Sequence, residues 1–146
     1  MTEKKGYTLI ELLIAIALFS ILLSIAIPNF NFYTNLREKQ EIAEFKKDLL
    51  FARNSAIVEN RYYIVYFNHS ENSYIIKTGE ASPTIKSKTF GQGLKLDIDN
   101  LVGSFTFTPS GATGNSNTLY INARKNRRYV VTLTPATGRI EIKFEK

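Results

Sequence analysis

Hydrophobic and polar positions divide this 146-residue chain into three stretches with different patterns. In the first stretch, residues 7–27 are apolar on every side, and Glu11 is their only charge. As a helix rising about 1.5 Å per residue, this run is roughly 30 Å long, which matches the hydrocarbon core of a bilayer. The pattern predicts a membrane-spanning helix over residues 7–28, after a short charged leader at residues 1–6.

In the second stretch, apolar residues recur at alternating spacings of three and four, as on one buried face of a helix. These residues are Ile42, Phe45, Leu49, Ala52 and Ala56. The charged residues between them predict a solvated opposite face: Arg37, Glu38, Lys39, Glu41, Lys46, Lys47 and Asp48. Because the helical pattern resumes after Pro28, this proline is expected to kink the helix without ending it. We predict one long helix from about Thr8 to Val58.

The third stretch contains eight short runs rich in β-branched and aromatic residues, separated by turn-forming residues. The predicted strands are residues 62–67, 73–78, 85–90, 94–98, 105–108, 118–121, 129–133 and 139–144. Short strands with short loops indicate an antiparallel meander, without βαβ units. The predicted fold class is α+β, in which a long N-terminal helix packs on a mainly antiparallel β-sheet head. This head comprises residues 29–146, with the amphipathic helix to about residue 58 and strands beyond it.

Composition argues against catalysis. The chain has no cysteine, so it can form neither a disulfide nor a thiolate metal site. His69 is the only histidine, and neither a catalytic triad nor a histidine-rich metal site can be built on it alone. Gly91 and Gly93 lack the third glycine of a dinucleotide-binding loop. We therefore expect no enzyme activity, no cofactor, no metal and no small-molecule substrate.

A net charge of +6 permits contact with nucleic acid or an anionic surface. Four bases fall within five residues between two predicted strands, where a hairpin turn would project them together: Arg124, Lys125, Arg127 and Arg128. Arg139 and Lys143 on the following strand would extend this patch. Such a patch would contact DNA phosphates without sequence preference and would lose them with rising salt. The alternative is a solvated turn that keeps a sheet edge soluble.

The start of the apolar run carries a more specific pattern. Gly6 precedes Tyr7, Glu11 is the fifth residue after Gly6, and Pro28 is the twenty-second. Together with the T-L-I-E-L sequence, this resembles the class III signal of type IV pilins and type II secretion pseudopilins, from which only Tyr7 departs. The resemblance implies cleavage by prepilin peptidase between Gly6 and Tyr7, N-methylation of Tyr7, and assembly through a filament-core helix that depends on Glu11 and Pro28.

Three further stretches narrow the resemblance. The A-R-N-S-A-I sequence at residues 52–57, F-T-P-S-G at residues 107–111 and G-R-I at residues 138–140 are similar to motifs of H-type minor pseudopilins and FimT-like minor pilins. This implies a minor subunit near the tip of a type IV pilus or type II secretion pseudopilus. Its implied partners are other pilin subunits, prepilin peptidase and the cytoplasmic membrane.

Lysines before the apolar run place the N-terminus inside the cell by the positive-inside rule, so the head would become part of an extracytoplasmic filament. Two alternatives stay open, a DNA-binding minor pilin of a competence pilus and a major structural pilin. Some FimT-like proteins use arginines late in the chain for DNA uptake. One of these arginines lies two residues after the G-R pair, and this chain has Glu141 at that position. The sequence does not distinguish pilus, secretion and competence machines.

Overall fold

The computed structural model describes residues 6–26, 30–91, 93–97, 102–114 and 117–145. The chain consists of two compact units, the first up to Asn35 and the second from Leu36 onwards. Helix α1 spans Leu9–Ala26 and helix α2 spans Phe30–Val58. Both predicted halves of the helix are therefore present, whereas the predicted kink at Pro28 lies outside the described residues.

Helix α1 is apolar on all sides. Its large side chains are each more than half exposed, from Leu9 to Leu23. Over the part of the chain that the structure describes, no helix is both long enough and apolar enough to cross a membrane.

Beyond α2, the second unit contains β1 (Tyr63–Asn68), β2 (Ser73–Lys77), β3 (Lys86–Thr89), β4 (Leu94–Leu96), β5 (Ser104–Phe107), β6 (Asn117–Ala123), β7 (Arg127–Thr134) and β8 (Arg139–Glu145). Each of the eight predicted strands matches one of these. Among the described residues they form two four-stranded sheets, with strand orders β3-β2-β1-β5 and β4-β6-β7-β8. All pairings between these strands are antiparallel.

The prediction of a single meander is wrong, because the chain changes sheets three times, between β3 and β4, between β4 and β5, and between β5 and β6. Strand β4 pairs with β6, while the intervening β5 returns to pair with β1, where Val65 lies opposite Phe105. Both of these side chains are fully buried. Two small sheets can bury apolar faces from both sides of one core, which a single flat meander cannot do.

The apolar stripe of α2 lies in this core as predicted. Phe45, Leu49, Ala52 and Ala56 are completely buried, and Ile42 is nearly so. The Phe45 ring lies within an aromatic cluster, with ring centroids 4.9 Å from Tyr74, 5.4 Å from Phe90 and 6.1 Å from Phe67. The stripe therefore packs α2 on the β-sheet head, as predicted.

The opposite face of α2 is not solvated throughout, contrary to prediction. Glu38 and Asp48 are each only 3% exposed. Asp48 accepts hydrogen bonds from the Tyr74 hydroxyl at 2.6 Å and from Lys86 Nζ at 2.5 Å. Burial raises the pKa of Tyr74 well above its ordinary value, and the hydrogen bond to Asp48 contributes a smaller increase. These acids are buried because strands distant in sequence bring donors to them.

Candidate functional site

The predicted cleavage junction, Gly6–Tyr7, is open in the structure. The Tyr7 side chain is 93% exposed. A Cβ atom added to Gly6 would meet no other atom within 4 Å. The fold therefore does not itself require glycine at position 6. A requirement for glycine there has to come from a molecule that reads this segment.

Immediately after the junction, Thr8 and Glu11 form a reciprocal cap on α1. The Thr8 backbone N–H and hydroxyl both donate to Glu11 Oε2, at 2.8 and 3.0 Å, and the Glu11 N–H donates to the Thr8 hydroxyl at 3.3 Å. This is the capping-box arrangement, which satisfies backbone donors that a helix start leaves free. Sequence reasoning missed Thr8, although the T-x-x-E spacing before an apolar run is its known signal.

The predicted basic cluster lies at one hairpin turn, as expected. Residues 124–126 connect β6 to β7, with Ala123 opposite Arg127. Lys125 and Asn126 have φ angles of 61° and 56°, in the left-handed region that L-residues rarely occupy. A cleft of about 500 Å³ beside the turn is lined by residues 122, 123 and 126–128. The turn brings the cationic residues together, and their partners decide which of them can bind a ligand.

Two arginines of the turn face the buried Glu38 of α2. Arg127 Nη2 donates to Glu38 Oε2 at 2.9 Å, and Arg124 Nε lies 4.0 Å from Oε1. Within the described residues, Oε1 is buried without a hydrogen-bond partner. The Arg127 guanidinium also lies 5.7 Å from the centre of the Phe144 ring. Arg127 is thus part of the attachment of the turn to the helix and is not a freely projecting cation.

Arg128, Arg139 and Lys143 lie on the outer face of the second sheet. The prediction that Arg139 extends the patch at the turn is wrong, because the register places Arg139 opposite Thr134, at the far end of β7. Arg128 donates to Glu145 at 2.7 Å, and this hydrogen bond raises the pKa of Arg128. Lys143 lies 3.5 Å from Glu141 on its own strand. Among the described residues, no carboxylate pairs with Arg139, and none pairs with Lys125 at the tip of the turn. The structure therefore divides the predicted patch into paired and unpaired cations.

The three short motifs of the head meet at a single residue. Arg53, near the end of α2, donates from Nε to the Gly111 carbonyl at 3.1 Å and from Nη2 to the Thr137 carbonyl at 2.9 Å. Gly111 and Gly138 both have positive φ, and a Cβ atom on Gly138 would overlap the Gly111 carbonyl oxygen. The motif glycines thus make two turns that approach each other closely beneath the arginine.

Within the described residues, no group of three or more histidine, cysteine or acidic side chains is placed to hold a metal ion.

Family models match both parts of the chain. Residues 1–27 match the prokaryotic N-terminal methylation motif, and residues 41–137 match type II transport protein GspH. The competence protein ComGD of Bacillus subtilis is 23% identical over 97% of this chain and 95% of its own length. The type IV major pilin protein PilE1 of Neisseria gonorrhoeae is 32% identical over 75% of this chain, but the match spans only 56% of that pilin.

Two solved structures share the fold at low sequence identity. The type IV minor pilin FimU of Pseudomonas aeruginosa has a TM-score of 0.61 at 18% identity, covering 76% of this chain and 92% of FimU. The minor pseudopilin EpsH of the Vibrio cholerae type 2 secretion system has a TM-score of 0.59 at 18% identity, covering 72% of this chain and 94% of EpsH. A helix packed on antiparallel sheets is thus shared with these minor subunits.

Proposed function

This chain belongs to the type II transport protein GspH family and is a subunit of the minor pilin or pseudopilin type, and we propose that it is trimmed after Gly6, N-methylated on Tyr7 and assembled into a filament through residues 7–58. The open Gly6–Tyr7 junction next to a capped apolar helix is the observation that carries the proposal. A peptidase needs an accessible extended segment, and glycine lets the backbone enter a narrow site without a Cβ atom.

The trimming step is tested with two glycine variants of the full-length chain. We expect Gly6→Val to retain its leader when expressed with prepilin peptidase. Gly103→Val is a matched control, because a Cβ atom at Gly103 likewise meets nothing within 4 Å. Intact-mass measurement should show the leader on the first variant and its loss from the second. Normal trimming of Gly6→Val would overturn the proposal.

For the anchor, we propose that residues 7–28 lie in the cytoplasmic membrane before assembly, with the N-terminus inside. Eighteen residues of this segment form α1, and Glu11 is its only charged residue. The hydroxyls of Ser20 and Ser24 donate to helix carbonyls one turn earlier, at 2.8 and 2.9 Å. Internal hydrogen bonds of this kind lower the cost of placing serine in an apolar environment. Lipid before assembly, and neighbouring helices after it, would cover the exposed side chains.

Glu11 is proposed to act in assembly as a charge, in addition to capping its own helix. The carboxylate lies only one turn from the start of α1, so its insertion should cost less than the roughly 3 kcal/mol of an acid at the bilayer centre. In a filament, a new amine on Tyr7 of the same or a neighbouring subunit is the nearest cation that could pair with it. Pro28 is proposed to act in assembly through the kink that it is expected to introduce into the helix.

Two substitutions separate the charge of Glu11 from its capping role. Glu11→Ala removes both, whereas Glu11→Gln keeps an oxygen that can accept from Thr8, as glutamine does in capping boxes. We expect both variants to insert normally and to enter filaments poorly, measured by the fraction recovered in sheared filaments. Incorporation of Glu11→Gln at the parental level would assign the role to the cap, and equal incorporation of all three would remove Glu11 from assembly.

Among the possible machines, similarity along nearly the whole chain to a competence protein favours a competence-type pilus. This observation also keeps DNA binding as a second candidate function. The pairing of Arg127 and Arg128 with carboxylates shifts the candidate contacts to Lys125 at the tip, with Arg124 beside it. Arg139 is left out, because it lies opposite Thr134 at the end of β7 that is far from the turn. Arg127→Ala is a poor test, because it would leave the buried Glu38 without its closest cation.

Lys125→Gly offers a cleaner test of DNA binding. Glycine suits the positive φ at this position, so the substitution removes a charge and preserves the turn. Asn126→Gly changes a neighbouring residue of the same conformation without removing a charge. We expect duplex DNA to bind the parent and Asn126→Gly equally. For Lys125→Gly, the slope of the logarithm of the binding constant against the logarithm of salt concentration should be shallower by about one. Absence of binding by the parent, or identical binding by both variants, would eliminate this candidate.

A further inference from the structure

Strand β8 is the outer strand of the second sheet and, among the described residues of the head, the longest edge strand. It contains seven residues, whereas the edge strands β3, β4 and β5 contain four, three and four. In an antiparallel pair, alternate residues of an edge strand point their backbone N–H and C=O groups away from the partner. Such an edge is a template for another strand unless its side chains prevent pairing.

The two faces of β8 have different chemistry. Ile140, Ile142 and Phe144 point to the core side, where Ile140 is buried, Ile142 is partly buried and Phe144 remains 46% exposed. The intervening residues are all charged and exposed, and their signs alternate in the order Arg139, Glu141, Lys143 and Glu145. The edge therefore offers an apolar row on one face and an alternating ionic row on the other.

This order of residues is self-complementary in the antiparallel direction. With a two-fold axis at Ile142, Arg139 lies opposite Glu145 of a second copy and Glu141 lies opposite Lys143. On the other face, the same register places Ile140 opposite Phe144 and Ile142 opposite itself. We propose that β8 pairs with β8 of a second copy in this register, joining two heads edge to edge. The inference concerns the head alone and does not depend on the proposed function.

The contacts within one chain leave these charges able to pair again. Arg139 makes no ion pair within the described part of the chain. Glu145 accepts from Arg128 through Oε2, and a carboxylate can accept further hydrogen bonds. Lys143 and Glu141 lie 3.5 Å apart on the same strand, so a second copy would turn this contact into a four-charge network.

The alternation of sign distinguishes β8 from a protected edge. Edge strands carrying charges of one sign repel a second copy, which is a common defence against aggregation. Opposite charges directly across an antiparallel pair attract, and like charges repel. A single seven-residue edge buries less than the roughly 1,200 Å² of a stable interface, so the pairing should be weak and best detected by cross-linking.

The absence of cysteine from the chain makes this test direct. In Ile142→Cys, the new thiols of two copies would face each other across the two-fold axis. Lys95→Cys is the control, because Lys95 is an exposed residue of β4 at the opposite edge of the same sheet. We expect the full-length protein in mild detergent to form cross-linked dimers through Cys at position 142, at least about tenfold more than at position 95.

Charge reversal then tests the register. In the Ile142→Cys background, Glu141→Lys and Lys143→Glu each create two like-charge contacts per dimer and should lower the cross-linking yield by roughly tenfold. The double variant Glu141→Lys/Lys143→Glu restores opposite charges in every pair and should recover the yield. Its recovery also shows that neither substitution prevents folding.

Three results would overturn the inference. Equal cross-linking at positions 142 and 95 would mean that the chains meet through detergent or through their apolar helices. Failure of the double variant to recover would exclude this register. Absence of cross-linked dimers from Ile142→Cys would show that β8 does not pair with β8 of a second copy.

Discussion

Helix α2 is attached to the rest of the head at two places that differ in chemistry. Around Glu38, carboxylates of the helix accept hydrogen bonds from the strands and loops. Around Arg53, a guanidinium of the helix donates hydrogen bonds to carbonyl oxygens. At the first attachment, Glu38 faces Arg127, and Glu41 accepts from the Gly91 N–H at 2.9 Å. At the second, Arg53 donates to the carbonyls of Gly111 and Thr137. The aromatic cluster around Phe45 and the stripe residue Leu49 lie between them.

Glycine is present at both attachments for different reasons. A Cβ atom on Gly91 would come within 2.5 Å of Glu41 Oε1, the end of a flexible side chain. At Gly138 the obstacle is the backbone of Gly111, and φ is +59°. The difference indicates that the acidic end can adjust by moving side chains, while the arginine end is fixed by backbone geometry.

The largest expected effect tests whether either attachment holds the helix without the core between them. Phe45→Ala should lower the free energy of unfolding by roughly 3–5 kcal/mol, because it removes a fully buried ring. Phe51→Ala, on the same helix but 45% exposed, is the control and should cost far less. Urea unfolding of a fragment beginning near residue 30 measures both. Equal losses would mean that the polar attachments dominate.

The next comparison uses the glycines. Gly138→Ala should cost about 3 kcal/mol, since it combines strain at positive φ with overlap of a backbone carbonyl. Gly91→Ala should cost about 1 kcal/mol, because the Glu41 side chain can swing away at the expense of one hydrogen bond. Thermal or urea unfolding of the two variants provides the measurement. A reversed order would show that the acidic end is the rigid one.

Charge removal at the two ends should differ as well. Arg127→Met leaves Glu38 buried and should cost about 3 kcal/mol, of which Glu38→Gln in the same chain should restore a part. Arg53→Met leaves two carbonyls, one of them on the exposed Thr137, and should cost about 1 kcal/mol. A double-mutant cycle between positions 38 and 127 measures the coupling. No coupling would show that the pair is incidental.

The smallest effect at neutral pH concerns Tyr74, which lies between the attachments. Its folded-state pKa is raised, so above about pH 10 the unfolded chain releases this proton while the folded chain retains it. Stability is therefore intact below pH 10 and should fall above it, by about 1.4 kcal/mol per pH unit for this group. Tyr74→Phe should make that decline shallower, whereas Tyr62→Phe, at an exposed position, should not. Identical slopes in all three proteins would contradict the argument.

Periodicity was sufficient to predict the elements of this fold but not how they pair. The spacing of Phe45, Leu49 and Ala52 identified the buried face of α2, and all eight strands lie within a few residues of their predicted bounds. The sheet exchange of β4 and β5 was not predicted, because alternation within a strand does not specify its neighbour.

The pairing of charged residues was also not predicted from the sequence. Glu38 and Arg127 are 89 positions apart, and nothing local distinguishes a solvated acid from one that a distant arginine will meet. The contact of Arg128 with Glu145 follows from the register of a single hairpin and was within reach of sequence reasoning. Arg53 was singled out only through a family motif, since its carbonyl partners exist only after two turns have folded.

The cap formed by Thr8 and Glu11 has a consequence for maturation. The cap is formed by hydrogen bonds between these two residues, both of which follow the predicted cleavage point. Removal of the leader after Gly6 would therefore alter charge and leave an already formed helix end in place. The precursor and the mature subunit would share one structure from Thr8 onwards. Maturation would therefore change the chemical groups at the N-terminus without refolding the subunit.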